Sequence, residues 1–278
     1  MALLVFVARG RSASGGNSLN TGGLMVIKAV VKSIFSGLSH SKQKWVLERL
    51  SYLPLLRETR LLRPIAWVRN EYTAFGQNQR KEIYLSIARF AHINRPIPGY
   101  YFEFGCHEAN TMRHAWATFK YLFDFTYVAF DSFQGLPEME DFDRSDIFHA
   151  GNLATAEEEF IRRVVGAGMP RDKLITVKGF YDHSLTPELH AKLSPMKAAV
   201  VYIDCDLYKS TVPVLRFIRA FLQKGTVVVF DDWNCYHADP DMGERRAWAE
   251  FLEENPELHF EDFVSTAEAK AFICVNPG

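Results

Sequence analysis

The chain has 278 residues, of which 48% are hydrophobic and 14% aromatic, so it can bury a full core. Its 32 Lys and Arg residues balance 33 Asp and Glu residues, which argues against a nucleic-acid partner and against an acidic tail. No apolar run reaches the roughly 18 residues typical of a transmembrane segment, and the four widely spaced cysteines favour a reducing cytoplasm.

The first part of the chain differs in composition from the rest. Residues 10–23 are rich in Gly, Ser and Asn, so we predict a flexible leader over residues 1–24. Helical spacing of apolar residues begins at Met25, and helix-like sequence continues to residue 95, which predicts an N-terminal helical cap over residues 25–95. The stripe over residues 25–38 is too apolar to stay exposed, so we expect a homo-oligomer, formed as a dimer through these helices. A helix lying on a membrane surface is the alternative.

Short apolar runs alternate with helical patterns over residues 96–278. The predicted strands span residues 100–105, 127–131, 174–177, 199–203, 226–230, 259–264 and 271–275. Helices are predicted over residues 110–123, after a capping box formed by Thr155 and Glu158, from near Ser210, and over residues 244–254. This alternation predicts an α/β fold with a mostly parallel sheet covered on both faces. The short link between the last two strands predicts one antiparallel strand at the C-terminal end.

Acidic and turn residues close several of these strands. Gly105 ends the first strand, Asp131 the second, and Asp231 and Asp232 the fifth, while Asp204 and Asp206 follow the fourth. Ligands of such sheets bind at the C-terminal ends of the strands, near the point where the strand order reverses. We therefore expect the functional site at this edge.

The first two strand ends favour a nucleoside cofactor. Gly105 allows a tight turn towards a ligand, and the carboxylate of Asp131 can accept hydrogen bonds from ribose hydroxyls. His107, Glu108 and Ala109 stand where further glycines of a dinucleotide-binding loop would be expected. A cofactor without a pyrophosphate group therefore fits better.

The remaining strand ends predict a metal site. If the fourth and fifth strands are neighbours, Asp204, Asp231 and Asp232 converge and offer oxygen ligands to Mg²⁺ or a similar divalent cation. Three carboxylates buried together are unfavourable unless a cation neutralises them. In the alternative interpretation, one of the paired aspartates caps the following segment and Asp206 is solvated.

Five segments in succession resemble the motifs of a known family: FEFG, FDSFQGLPE, GFYDHSL, IDCDLYKST and VVVFDDW. They resemble the macrocin O-methyltransferase family, from about residue 98 to the C-terminus. Members of that family are metal-dependent enzymes that use S-adenosylmethionine to methylate sugar hydroxyls of natural products. The resemblance implies a Rossmann-like class I methyltransferase sheet for residues 96–278.

The resemblance also implies roles for individual residues. Asp131 would hold the ribose of S-adenosylmethionine, and Tyr181 and Asp182 would flank its adenine. The cofactor contacts that it implies are Glu103, Gly105, Asp131, Ser132, Tyr181 and Asp182. The metal ligands that it implies are Asp204, Asp231 and Asp232, with Asp206 as the general base. The chain departs from the family after FEFG, where glycines and an arginine usually follow.

We therefore predict an S-adenosylmethionine-dependent O-methyltransferase that acts on a sugar or a glycosylated small molecule, so that the partner is a small-molecule or glycan acceptor. One alternative is a glycosyltransferase whose D-x-D motif is formed by Asp204 and Asp206, although this leaves Asp131 unexplained. A second is a degenerate cofactor-binding module, which the unusual loop after the first strand would favour. A dehalogenase-like phosphatase would need its aspartates on the first strand, whereas here they follow the fourth.

Overall fold

The structure is a computed structural model, in which residues 33, 36–39, 41–43, 74–94, 97–140, 143 and 149–278 are described. The chain divides into two compact units, Met1–Asn78 and Gln79–Gly278. The predicted leader and nearly all of the apolar stripe over residues 25–38 lie outside the described residues. The homodimer therefore stays a prediction.

The second unit is built on one sheet. Its strands are β1 (Tyr100–Phe104), β2 (Thr126–Asp131), β3 (Leu174–Lys178), β4 (Ala198–Ile203), β5 (Val227–Phe230), β6 (His259–Ser265) and β7 (Lys270–Asn276). Within the described residues they are arranged in the order β3-β2-β1-β4-β5-β7-β6. Strand β7 pairs antiparallel with both β5 and β6, and the other neighbours pair in parallel. The predicted sheet, with an antiparallel strand at its C-terminal end, is confirmed.

Helices connect the strands. They are α1 (Ala74–Ile93), α2 (Asn110–Phe119), α3 (Glu157–Gly166), α4 (Tyr181–Ser184), α5 (Pro187–Leu193), α6 (Tyr208–Ile218) and α7 (Gly243–Glu254). The predicted capping box does not form, because Ala156 is the N-cap of α3 and provides no side-chain hydrogen bond. Helices α4 and α5 were not predicted. The start of α5 was readable, since the Thr186 hydroxyl accepts the Leu189 N–H at 3.2 Å and Pro187 occupies the first turn.

Successive residues of the central strands point into two different cores. Tyr101 and Tyr202 pack on one face with α1, α2 and α3. Phe102 and Ile203 pack on the other face with α6 and α7. Burial on both faces is why these strands are apolar throughout rather than at alternate positions. None of the described helices combines the length and apolar character needed to cross a membrane.

The sheet order places the strand ends of interest together. Strand β1 lies between β2 and β4. Strands β2 and β3 are added on one side of β1, and β4 and β5 on the other, so the strand order reverses between β1 and β4. Hydrogen bonds continue the ladder just beyond the strands: Gly105 N–H donates to Phe130 O at 3.0 Å, and Asp204 N–H donates to Phe104 O at 2.8 Å. Asp231 N–H donates to Ile203 O at 2.9 Å. The sheet itself therefore fixes the backbone of the site.

Helix α1 packs with the sheet from Gln79 onwards, although its sequence was predicted as part of the cap. The Gln79 side-chain oxygen accepts the Ala267 N–H at 2.6 Å, in the turn between β6 and β7. The ring of Tyr84 stacks on that of Tyr202, with centroids 5.5 Å apart. These contacts bring the residue between them, Arg80, to the edge of the sheet.

Gly105 generates a test of this backbone arrangement. Its φ is +82°, and a Cβ added there would lie 1.8 Å from the backbone oxygen of Asp204. We expect Gly105→Ala to lower the free energy of unfolding by about 2 kcal/mol or more, because the φ is unfavourable for L-residues and the obstacle is backbone. The control is Gly166→Ala in α3, where no described atom lies within 4 Å of the new Cβ. Equal losses for both variants in urea unfolding would contradict the assigned geometry.

Candidate active site

A cavity of about 370 Å³ lies at the C-terminal ends of the five parallel strands, β1 to β5. Of the residues predicted from the sequence, it is lined by Gly105, Asp131, Ser132, Tyr181, Asp182, Asp204, Asp206, Asp231 and Asp232. Arg80, His107 and Lys209 also line it. Glu103 does not line the cavity.

Asp131 ties the loop after β1 to the end of β2. Its Oδ2 accepts the N–H groups of Cys106 at 2.7 Å and His107 at 3.1 Å, and its Oδ1 accepts the Phe133 N–H at 2.6 Å. A carboxylate can accept about four hydrogen bonds, so about one position remains for a ligand hydroxyl. The same charge therefore shapes the loop and faces the cavity.

Ser132 shapes the next part of the wall. Its hydroxyl donates to Gly135 O at 2.7 Å and accepts the Gln134 N–H at 3.0 Å, which closes the turn after β2. A Cβ on Gly135 would lie 2.5 Å from Asn152 O, so this turn packs directly on the residues before α3. The Ser132 hydroxyl is engaged within the turn, and its contribution to the cavity is one of shape.

Glu103, predicted as a cofactor contact, lies outside the lining of the cavity. Its side chain is 0% exposed, and its carboxyl group accepts hydrogen bonds from Tyr101 Oη at 2.6 Å and Thr111 Oγ1 at 2.8 Å. Burial raises the pKa of Glu103 to about 7. Side chains of β1 alternate between the faces of the sheet, and Glu103 faces the core rather than the edge. It joins β1 to the start of α2 beneath the cavity.

His107 was noticed in the sequence only as a missing glycine. In the structure its Nδ1 lies 2.6 Å from Leu153 O and 3.4 Å from the Thr155 hydroxyl. Because a carbonyl oxygen only accepts hydrogen bonds, Nδ1 is assigned a proton and donates to Leu153 O. His107 therefore ties the loop after β1 to the segment that precedes α3.

Three aspartates form a cluster at the ends of β4 and β5. Oxygen atoms of Asp204, Asp206 and Asp232 all lie within 4.8 Å of one another. Burial, followed by the charges of neighbouring aspartates, raises the pKa of Asp204 and of Asp206 well above the ordinary range, and raises that of Asp232 to about 6. Asp232 Oδ2 is buried and has no hydrogen-bond partner within the described part of the chain. Three convergent carboxylates with an unpaired buried oxygen fit a hard divalent cation.

The cluster differs from the predicted metal set in one member. Asp206 belongs to it, whereas Asp231 is held elsewhere: its Oδ2 accepts Arg80 Nη2 at 2.6 Å, and its Oδ1 accepts the Tyr202 hydroxyl. Burial by itself lowers the pKa of Arg80. The charge of Asp231 and the hydrogen bond to it outweigh this effect, so the pKa of Arg80 is raised above its ordinary value. Arg80 lies 151 residues before Asp231, in a helix without a readable motif, so the sequence offered no signal for this pair.

A further buried acid supports the cluster and was not predicted. Glu244 is 2% exposed, and its Oε2 accepts the Asp232 N–H at 3.1 Å. Burial, then the charges of Asp232, Asp231 and Asp206, raise the pKa of Glu244 well above its ordinary value, which favours the neutral acid. Glu244 fixes the backbone of Asp232 from the first turn of α7.

Comparison with known proteins identifies the family and the fold. The family model of the macrocin O-methyltransferases (TylF) matches residues 38–257. The solved structure of the O-methyltransferase NovP is similar, with a TM-score of 0.53 and 21% identity, covering 72% of this chain and 79% of NovP. CalS11, a calicheamicin methyltransferase, has a TM-score of 0.58 and 20% identity, covering 94% and 99% of the two chains.

An apo structure of CalS11, named as a TDP-rhamnose 3'-O-methyltransferase, has a TM-score of 0.51 and 19% identity, covering 85% of this chain and 96% of that one. At such identities the structural likeness shows a shared fold, that of the class I methyltransferases. A search of curated proteins found no match. Because the family model covers most of its length, the chain belongs to the macrocin O-methyltransferase family and is an O-methyltransferase.

Proposed function

We propose that the protein transfers a methyl group from S-adenosylmethionine to a hydroxyl of a sugar or a glycosylated small molecule, with a divalent cation such as Mg²⁺ at the acceptor side. One observation carries the proposal: a single cavity is lined both by Gly105 and Asp131 and by the cluster of Asp204, Asp206 and Asp232. The sugar as acceptor is supported by family membership and by the name of CalS11. The homo-oligomer and the cytoplasmic location stay predictions.

The cofactor side is formed by the ends of β1, β2 and β3. S-adenosylmethionine, when bound, supplies a methyl group on a positively charged sulfur. Gly105, with a φ of +82°, lets the chain turn at the end of β1, and Asp131 would accept a ribose hydroxyl at its remaining position. Burial raises the pKa of Tyr181 well above its ordinary value, so the ring is neutral beside an adenine, and Asp182 lies at the same end of the cavity. These residues bind and orient the cofactor.

The acceptor side is formed by the ends of β4 and β5. A divalent ion, when bound, lowers the pKa of an acceptor hydroxyl and makes it a better nucleophile. We assign Asp204 and Asp232 to hold the ion, and Asp206 to accept the proton as general base. Asp206 is suitable because its carboxylate lies within the same 4.8 Å cluster, next to the residues assigned to the ion, and because it lines the cavity.

Arg80 contributes a positive charge to the acceptor side. Its guanidinium group pairs with Asp231, so one of the four aspartates at this edge is already neutralised by the chain itself. Asp204 and Asp232 are then left to hold a divalent ion, with Asp206 beside them as the base. This division supports Asp231 as a residue that positions the site, rather than as a metal ligand.

The alternative functions explain less of the geometry. A phosphatase of the dehalogenase type would need Asp204 and Asp206 after β1, whereas they follow β4. A D-x-D glycosyltransferase leaves the class I methyltransferase sheet and Asp131 without a role. A degenerate cofactor-binding module would have no need for the acidic cluster.

The proposed reaction can be tested directly on the full chain. We expect formation of S-adenosylhomocysteine when S-adenosylmethionine and Mg²⁺ are incubated with a panel of TDP-sugars and glycosides, and loss of that product in EDTA. Mass spectrometry of both products is the measurement. Methyl transfer that continues undiminished in EDTA would contradict the metal part of the proposal. Cofactor binding without transfer to any member of the panel would contradict the acceptor class.

Asp131 provides a test of the cofactor side. Removing a charged acceptor from a ribose hydroxyl should cost about 1.5–3 kcal/mol, or roughly ten- to a hundredfold in affinity for S-adenosylmethionine. We expect this loss for Asp131→Ala, and a smaller one for Asp131→Asn, which keeps an oxygen acceptor for the loop. Calorimetric titration below the melting temperature of each variant is the measurement. Unchanged affinity in Asp131→Ala would rule the assignment out.

Substitutions of Asp204 and Asp206 should impair the enzyme in different ways. We expect Asp204→Asn to weaken Mg²⁺ binding, so that part of the activity returns at high Mg²⁺. We expect Asp206→Asn to lower kcat by about 10²–10⁴, the usual effect of removing a positioned base, without recovery at high Mg²⁺. Turnover as a function of Mg²⁺, with melting curves alongside, distinguishes these outcomes from simple destabilisation. Wild-type turnover in Asp206→Asn would place the base elsewhere.

A further inference from the structure

Asp143 is a fully buried carboxylate in the long loop between β2 and α3, with 0% exposure. Aspartate is rarely buried unless it is paired. Its carboxyl group is engaged by backbone rather than by a cation: Oδ1 accepts the Tyr208 N–H at 2.7 Å, and Oδ2 accepts the Lys209 N–H at 3.0 Å. A residue 65 positions earlier in the chain therefore caps the start of α6.

Helix α6 needs such a cap. The first N–H groups of a helix have no partner within it, and its N-terminus favours a negative charge. The N-cap residue, Leu207, provides no side-chain hydrogen bond. Asp143 supplies both the acceptors and the charge that this end of the helix lacks locally.

The turn just before α6 holds Asp206 in an unfavourable conformation. Asp206 has a φ of +60°, in the left-handed region, and Leu207 N–H donates to Cys205 O at 2.6 Å. Such a conformation in a residue other than glycine persists where the surrounding structure fixes it. Asp143 fixes the two residues that directly follow this turn.

Asp143 also reaches the segment after β5. Its backbone oxygen accepts the Tyr236 hydroxyl at 3.4 Å. The Tyr236 ring lies 2.9 Å from where a Cβ on Gly243 would be, at the start of α7. That helix carries Glu244, which holds the Asp232 N–H. One buried residue thus connects the segments on which Asp206 and Asp232 lie.

We propose that Asp143 is a positioning residue, whose buried carboxylate caps α6 and thereby holds Asp206 in the geometry of the acidic cluster. The proposal rests on the proposed function, in which Asp206 and its neighbours serve the acceptor side. It assigns a specific task to residue 143, which lies in the part of this loop, residues 138–152, whose sequence shows no readable motif.

The test compares Asp143→Ala with Thr186→Ala in the full chain. Thr186 caps α5 through its hydroxyl, so its loss removes a helix cap of the same kind away from the cluster. We expect Asp143→Ala to lower kcat at least fivefold at saturating Mg²⁺, because the base is displaced, with the Mg²⁺ and S-adenosylmethionine affinities within twofold of wild type. We expect Thr186→Ala to lower the melting temperature and to leave kcat unchanged. Asp143→Asn, which keeps one acceptor oxygen, should restore part of kcat.

Crystal structures of wild type and Asp143→Ala supply a second readout that does not depend on a metal. We expect Asp206 to leave the left-handed region in the variant. If Asp206 moves while even the wild type methylates no sugar, the positioning role stands and the proposed function fails. If Asp206 stays in place and the variant keeps the kcat of the wild type, the positioning role is overturned and the proposed function stands.

Discussion

The concentration of carboxylates at one edge of the sheet is the constraint on which the rest of this site depends. Strand order brings Asp204, Asp206, Asp231 and Asp232 together, and α7 adds Glu244 beneath them. Two like charges 4 Å apart repel by about 4 kcal/mol at an effective dielectric constant of 20. Each of these acids must therefore gain a proton, a hydrogen-bond donor or a cation. The partner that each acid gains decides its role.

The chain uses a different solution for each acid. Asp231 gains the guanidinium group of Arg80, Asp131 gains three backbone N–H groups, and burial with the neighbouring aspartates raises the pKa of Glu244, which favours its neutral form. Asp204, Asp206 and Asp232 remain as three carboxyl groups whose oxygen atoms lie within 4.8 Å of one another. The closeness of these three carboxyl groups is the physical reason for proposing a divalent ion at the acceptor side.

The loop after β1 shows how a glycine-poor sequence can keep a glycine-like shape. His107 and Ala109 have φ values of +33° and +64°, the left-handed region that glycine usually supplies. The loop is held there by the carboxylate of Asp131 and by the bond between His107 and Leu153. Hydrogen bonds to side chains therefore stabilise a backbone conformation that glycine would otherwise adopt most easily. The departure from the family pattern alters how the loop is stabilised without removing the turn that faces the cavity.

The sequence by itself determined the strands, their alternation with helices, and the presence of acids at the strand ends. These features depend on local hydrophobic patterns and on residues adjacent in the chain, so they can be read without knowing what lies nearby. The tertiary structure alone decided that Glu103 is buried under the cavity, that Arg80 takes Asp231, and that Asp143 caps α6. Each of these outcomes joins residues far apart in the chain. Hydrogen bonds and ion pairs depend on distances of about 3 Å that only the packing of the whole unit establishes.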